Sequence, residues 1–160
     1  MKDIIRKLDD TNPAGVMLMQ FAPVESVQTW IAKSGGLYRG EIVFFAGWRW
    51  FNVYGIPETL FFREPKRRAA AGIFYETEAG CVVPGDDAEF RDVFEWAEDR
   101  RFIVRTKDHV GDWRLIGTPW HGLKLEKADF DTDRIMAGTR GFSIAFEGKT
   151  PALSGLYPFS

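Results

Sequence analysis

The sequence is poor in the residues that build disulfides and metal centres. It contains one cysteine, Cys81, and two histidines, His109 and His121, in 160 residues. A single cysteine excludes an intrachain disulfide, and these three residues do not combine into a recognised zinc-ligand spacing. We therefore expect no bound metal and no cofactor, and the cysteine usage suits a reducing compartment.

Long hydrophobic runs and an excess of one charge are also missing. A membrane-spanning helix needs about 20 apolar residues, whereas the longest apolar run, Ile42 to Gly47, has the length of a strand. The first 13 residues lack the apolar core of a signal peptide. The net charge of −2 gives no overall attraction to nucleic acid or to an anionic membrane. We expect a cytoplasmic protein, with neither a membrane nor a specific nucleic acid as its partner.

What the chain does contain is typical of one globular domain. Hydrophobic residues make up 45% of the sequence and charged residues 28%, which is unlike a disordered chain. Fourteen phenylalanines and six tryptophans supply enough apolar area for a sizeable core. We expect a single domain over residues 1–160. Within residues 1–12, Lys2 to Leu8 forms a short helix, or the segment is an arm; residues 148–160 either pack down or form a second arm.

Short alternating segments separated by Gly and Pro predict a mainly β (α+β) fold, a barrel or sandwich of about eight short strands. The clearest strand is Phe142 to Glu147, in which Phe142, Ile144 and Phe146 alternate with more polar residues. In the segment Phe102 to Lys107, the same alternation predicts that Arg105 points outward. Ile42 to Phe45 and Trp48 to Tyr54 read as two strands joined near Gly47, whereas Val24 to Lys33 is ambiguous.

One amphipathic helix is predicted around residues 86–99. Asp86 and Glu89 have the spacing of a capping box, and acidic residues in the first turn suit the helix dipole. The helix also carries one apolar stripe, made of Phe90, Val93, Phe94 and Ala97. The stripe should face the core.

No motif in the sequence carries catalytic chemistry. Ser143 to Thr150 imitates a phosphate-binding loop, but the alternation up to Glu147 predicts a strand where the motif needs a loop and a helix. Gly141 to Ala145 lacks the second glycine of a nucleophile elbow. Asp129, Asp131 and Asp133 begin like a calcium loop, but arginines stand where that loop needs Gly and Glu. We therefore predict that the protein is not an enzyme and name no catalytic residue.

Charge is distributed in two opposite clusters. Arg63, Lys66, Arg67 and Arg68 form a basic loop between two predicted strands. The acidic cluster lies on the predicted helix and comprises Asp86, Asp87, Glu89, Asp92 and Glu95. The basic cluster could meet the acidic helix of a second copy, or it could neutralise phosphates. The remaining alternative is two solvated surfaces without a partner.

Tryptophan supplies an alternative site. Exposed indole rings stack on sugars and other flat ligands, and Trp48, Trp50 and Trp120 are the candidates if they lie at the surface. Aromatic residues at this density more often belong to a core, so this alternative predicts that at least one of the three is exposed. The function would then be that of a ligand-binding or carbohydrate-binding β domain.

The order of these signals resembles a group of prophage-encoded virion proteins of the tail-tube and tail-completion kind. The segments that carry the resemblance are Gly40–Tyr54, Gly72–Tyr75, Val83–Gly85, Phe102–Arg105, Leu115–Gly117 and Gly141–Gly148. The resemblance implies a β-barrel or sandwich flanked by one helix, with several copies assembled into a ring or tube. It also implies a homo-oligomer with other virion proteins as partners, located in the virion, and no active site.

Overall fold

The computed structural model describes residues 15–70, 72–86, 88–132 and 140–159. These residues form fourteen strands and one α-helix, so the predicted mainly β fold with one helix is confirmed. The alternatives for residues 1–12 lie outside the described residues.

The strands are β1 (Val16–Pro23), β2 (Val27–Thr29), β3 (Lys33–Ser34), β4 (Leu37–Tyr38), β5 (Val43–Phe44), β6 (Phe51–Val53), β7 (Phe61–Arg63), β8 (Lys66–Ala69), β9 (Gly72–Pro84), β10 (Phe102–Asp108), β11 (Trp113–Ile116), β12 (Lys124–Thr132), β13 (Arg140–Thr150) and β14 (Gly155–Leu156). The helix, α1, spans Ala88–Ala97. It is not long and apolar enough to cross a membrane, and no other helix in the described residues is.

The strands pair into three sheets. The largest has seven strands in the order β3-β4-β14-β11-β10-β1-β6. The second has the order β12-β13-β9-β7, and β8 also pairs with β9. Strands β2 and β5 form a small third sheet. The described strands thus exceed the predicted number, because several have only two or three residues.

The two larger sheets face each other across one hydrophobic core. Phe21 and Phe102, from the seven-stranded sheet, each place their ring centre 5.4 Å from that of Phe146 on β13. Helix α1 closes this core at one end through Phe90, Phe94 and the buried Ala97. The arrangement matches the sandwich alternative, and no closed barrel is formed by the described strands.

A second core covers the opposite face of the seven-stranded sheet. Its fully buried centre includes Ile103, Leu115 and Tyr157, and the small β2–β5 sheet packs on it through Val27 and Phe44. The seven-stranded sheet is therefore buried on both faces along β10 and β11. Three layers result, with this sheet in the middle.

The C-terminal residues belong to the second core. Strand β14 pairs with β11 and β4, and Tyr157 is 1% exposed. The hydroxyl oxygen of Tyr157 also accepts a hydrogen bond of 3.2 Å from the Ile42 N–H. Of the two alternatives for residues 148–160, the structure thus shows packing down for 148–159.

Several local predictions are confirmed. Phe142, Ile144 and Phe146 are buried on β13 as their alternation predicted. Strand β13 continues to Thr150, so the segment that imitates a phosphate-binding loop is a strand. The ambiguous segment from Val24 begins with one short 3₁₀ turn and continues into β2.

The predicted strands around Phe44 and Phe51 are present as β5 and β6, which pair with β2 and β1. Two other predictions are wrong. Residues 66–68 form a strand rather than a loop. Arg105 is 5% exposed instead of pointing into solvent, because the second core covers the face of β10 that alternation had assigned to water.

Candidate functional site

The basic cluster lies on an open edge of the five-stranded sheet. Strand β8 pairs with β9 in antiparallel register, with Arg68 opposite Ile73, and all four of its residues are exposed. Strand β7 precedes β8 along the same side of β9, and the Glu76 N–H continues the ladder between them by donating to the Pro65 carbonyl. No other described strand pairs with β8. Lysine and arginine are common on such edges because they discourage uncontrolled strand pairing.

Two of the four basic residues of this cluster form ion pairs with glutamates of the same molecule. Arg67 Nε lies 2.7 Å from Glu76 Oε2, and Arg63 lies 3.9 Å from Glu78 Oε2. Lys66 and Arg68 make no ion pair with any described residue, and strand alternation places both on the face opposite to Arg67. We call the exposed strand with Lys66 and Arg68 the basic edge.

The predicted acidic contacts fall into two groups. Both oxygens of Asp86 are engaged, one by Arg91 at 2.7 Å and the other by Arg140 at 3.5 Å. Asp86 therefore ties the start of the helix to β13. Glu89 also interacts within the molecule, and Asp87 lies outside the described residues.

Asp92 and Glu95 form the second group. Both are exposed on α1 and make no ion pair with a described residue. Helix α1 packs against β12, whose outer half exposes Asp129 and Asp131. Strand alternation places Asp129 and Asp131 on the side of β12 opposite to Phe130, whereas the helix packs on the Phe130 side. The four carboxylates therefore lie around the same end of the sheet, on both sides of β12, and we call them together the acidic face.

The basic edge and the acidic face lie at opposite ends of the same sheet. Arg68 pairs with Ile73 at the start of β9, whereas Asp131 pairs with Gly141, which in turn pairs with Pro84 at the end of β9. The part of β9 between these positions spans about 36 Å at about 3.3 Å per residue. Physiological salt screens charges beyond about 8 Å. The two surfaces cannot neutralise each other within one chain.

The three candidate tryptophans do not form one platform. Trp48 stacks on Trp96 of α1, with ring centres 6.4 Å apart. Trp50 packs edge-on against Phe44 at 5.3 Å, in the second core. Trp120 is 73% exposed and meets Trp30 edge-on. Only Trp120 presents most of its surface to solvent.

The groups that could carry other chemistry are kept apart. Cys81 is buried in the first core, and loss of hydration raises the pKa of its thiol to about 12. His109 packs near Gly15, and His121 bonds to Thr118. Within the described ranges, no group of three or more His, Cys, Asp or Glu residues could hold a metal ion.

Sequence reasoning missed the partners of the charged residues. Glu76 and Glu78 compensate two of the four basic residues, and their alternation along β9 was the available signal for cross-strand pairing. Asp129 and Asp131 begin a calcium-loop-like pattern in the sequence. They lie on β12, directly beside the helix that carries the other acidic residues.

No protein-family model, curated protein or solved structure matches this chain.

Proposed function

We propose that the chain is a non-enzymatic structural component that assembles with copies of itself, basic edge against acidic face. The observation that carries this proposal is the separation of two uncompensated surfaces of opposite charge. Neither surface has a partner among the described residues, and each suits the other on a second copy. Opposite charges brought together in this way steer association and set its orientation.

The proposed contact joins two different surfaces, so it is head to tail. Such contacts close into rings or continue as filaments, depending on the rotation between copies. The exposed backbone of β8 adds unpaired N–H and C=O groups, which a second chain could satisfy by strand pairing. Charge would select the orientation and the backbone would supply further hydrogen bonds.

The sequence resemblance suggests the setting. The resemblance implies several copies assembled into a ring or tube, and a head-to-tail contact would build such an assembly. Other virion proteins would then be further partners, and the virion would be the location. The alternative of a carbohydrate-binding domain has less support, because the three candidate tryptophans lie in separate ring contacts.

The first experiment is the measurement of assembly state. Light scattering after size exclusion should show a mass that rises with protein concentration and falls with added salt, because salt screens the contact. Negative-stain imaging of the heavy fraction should show rings or filaments. A monomer at every protein concentration in low salt would contradict self-assembly.

A further inference from the structure

An apolar cavity of about 450 Å³ lies between α1 and the two larger sheets. Its walls include Val93 and Trp96 from the helix, Phe51 from β6 and Phe146 from β13. Sites for small molecules commonly have volumes of about 300 to 1,000 Å³. Val93 and Trp96 in its wall are partly exposed, so the cavity opens to solvent and a small molecule could enter it.

Loose packing of α1 over the sheets creates the cavity. Ala97 is the only buried residue of the helix, although Phe90 and Phe94 are partly covered. Val93 belongs to the predicted core stripe, yet it is 44% exposed and lines the cavity. The apolar stripe of the helix therefore faces open space that a ligand could fill.

The lining is uncharged and rich in aromatic rings. Eight of its fifteen residues are Phe, Trp or Tyr, and none is Asp, Glu, Lys, Arg or His. A charged ligand would lose its hydration against this lining. The nearest guanidinium groups, those of Arg100 and Arg49, lie over the rings of Trp96 and Phe51 at 4.5 and 6.0 Å from the ring centres, and Arg100 is already paired with Glu25. Aromatic walls offer stacked and edge-to-face contacts to a flat ring beyond the simple burial of its area.

Two tryptophans from different segments meet at this cavity. Trp48, in the loop before β6, and Trp96, on α1, have ring planes 22° apart and centres 6.4 Å apart. Trp96 is 37% exposed, so this pair lies where the cavity reaches solvent. Flat surfaces at the opening favour the entry of a flat molecule.

We propose that this cavity binds one uncharged, planar aromatic molecule. The proposal goes beyond assembly and does not depend on it, because none of the charged residues of the basic edge or the acidic face lines the cavity. The ligand would pack against Trp48 and Trp96 and tie α1 to both sheets.

The test compares three probes that share the same two-ring carbon skeleton. Naphthol is neutral and aromatic, decahydronaphthol is its saturated counterpart, and naphthalenesulfonate carries a charge. Binding is measured by quenching of tryptophan emission and by calorimetry on the full chain. We expect naphthol to bind one to one and at least about tenfold more tightly than either other probe. Equal binding of decahydronaphthol or of the sulfonate would overturn the proposed ligand class, and absence of naphthol binding would overturn the site.

Matched variants locate the binding. Val93→Phe places a ring in the cavity, whereas Val110→Phe makes the same change at a comparably exposed valine outside it. Val93→Phe should weaken naphthol binding by about tenfold or more, and Val110→Phe should leave it unchanged. If Val93→Phe binds naphthol like the unmodified chain, the proposed site is wrong.

A second variant covers the case in which Val93→Phe fails to fold, as judged by circular dichroism. Trp96→Leu removes one ring at a partly exposed position, and it should abolish the preference for naphthol over decahydronaphthol. An unchanged preference would overturn the role of the tryptophan pair. One further outcome would also overturn the proposal. If the unmodified chain does not bind naphthol but Val93→Phe changes the assembly state, the cavity belongs to a contact between copies.

Discussion

The guanidinium of Arg105 lies 4.2 Å from the ring centre of Trp113. Three other groups surround this guanidinium in the second core. The ring centre of Trp50 lies 4.7 Å from it, Gln20 Oε1 accepts a hydrogen bond from its Nε at 2.5 Å, and the Phe159 carbonyl accepts one from its Nη1 at 3.0 Å. Burial lowers the pKa of Arg105, and the nearby Tyr157 and Glu41 oppose that shift. The charge is thus held by ring faces and hydrogen bonds, and it anchors the C-terminal segment to β10.

Replacement of Arg105 should destabilise the fold. Arg105→Ala leaves a cavity and removes the donor to the Phe159 carbonyl, so we expect a loss of about 2 to 4 kcal/mol in the free energy of unfolding. Arg105→Lys should recover only part of this loss, because an ammonium lacks the planar fork that stacks on the indole rings. Denaturant unfolding followed by tryptophan fluorescence measures both variants.

The matched control for this prediction is Arg39→Ala, at an exposed arginine without an ion pair to a described residue. It should change the free energy of unfolding by less than about 0.5 kcal/mol. If Arg105→Ala is no more destabilising than Arg39→Ala, the ring and carbonyl contacts of Arg105 contribute nothing to stability.

Tyr38 should make the fold sensitive to alkali. Burial, with a smaller contribution from Glu64, raises the pKa of the Tyr38 phenol from 10.0 to about 12. The folded state therefore favours the neutral phenol. The stability that Tyr38 adds to the folded state is complete below pH 10.0 and is lost as the pH rises to about 12. The loss is at most about 3 kcal/mol.

Tyr38→Phe cannot ionise, so its free energy of unfolding should fall less steeply above pH 10.0 than that of the unmodified chain. Tyr54→Phe is the matched control, since Tyr54 is 75% exposed. Denaturant titrations at a series of alkaline pH values give the comparison. Parallel pH profiles for all three proteins would contradict the assignment to Tyr38.

Cys81 should resist thiol reagents in the folded protein. The pKa of its thiol rises from 9.0 to about 12 through loss of hydration, and the side chain is 2% exposed. The reactive thiolate is then about a thousandfold less abundant near neutral pH than for an ordinary cysteine. A chromogenic disulfide reagent should label the protein rapidly in denaturant and very slowly without it.

An exposed cysteine introduced on the neighbouring strand provides the control for rapid labelling. Ser143 is exposed on β13 and lies opposite Val82, next to Cys81 along β9. Ser143→Cys in a Cys81→Ala background should be labelled rapidly in the folded state. Rapid labelling of Cys81 itself under the same conditions would show that the first core opens readily around β9.

Local alternation predicts a strand well when one face meets the core and the other meets water. Phe142, Ile144 and Phe146 satisfy that condition, and their burial could be predicted. Arg105 does not, because Ile42 and Tyr157 reach the second core from distant parts of the chain. A layer built from remote segments leaves no periodic signal in the strand that it covers.

The charged residues of the candidate site could be predicted from the sequence, but the residues with which they form ion pairs could not. The positive charge of residues 63–68 and the negative charge of the helix can be read directly from the sequence. That Arg67 meets Glu76, and Arg140 meets Asp86, depends on strand register and on contacts between distant segments. Charge runs are often assigned to loops, but an edge strand tolerates them because its outer side faces water.

The basic edge and the acidic face should respond to charge reversal as one contact. Changing Lys66 and Arg68 to Glu would place negative charges against the acidic face of the next copy. Changing Asp129 and Asp131 to Lys would place positive charges against its basic edge. Each variant should therefore weaken assembly. Exposed ion pairs contribute about 0.2 to 1 kcal/mol each, so loss of two pairs in each double reversal should raise the concentration needed for half-assembly by roughly twofold to thirtyfold. Neither variant should unfold the monomer, because none of these four residues has an ion pair within the described chain.

Combining all four reversals in one chain exchanges the charges of Lys66 and Arg68 with those of Asp129 and Asp131, while Asp92 and Glu95 stay negative, so it should restore part of the assembly that each double reversal loses. Light scattering across a protein dilution series measures each variant. Arg39→Glu provides a control for a general charge effect, since it reverses one exposed arginine directly after β4 of the other large sheet and should leave assembly unchanged. If the combined variant is as weak as the sum of its two halves, the basic edge and the acidic face do not meet. Assembly, if observed, must then use other surfaces.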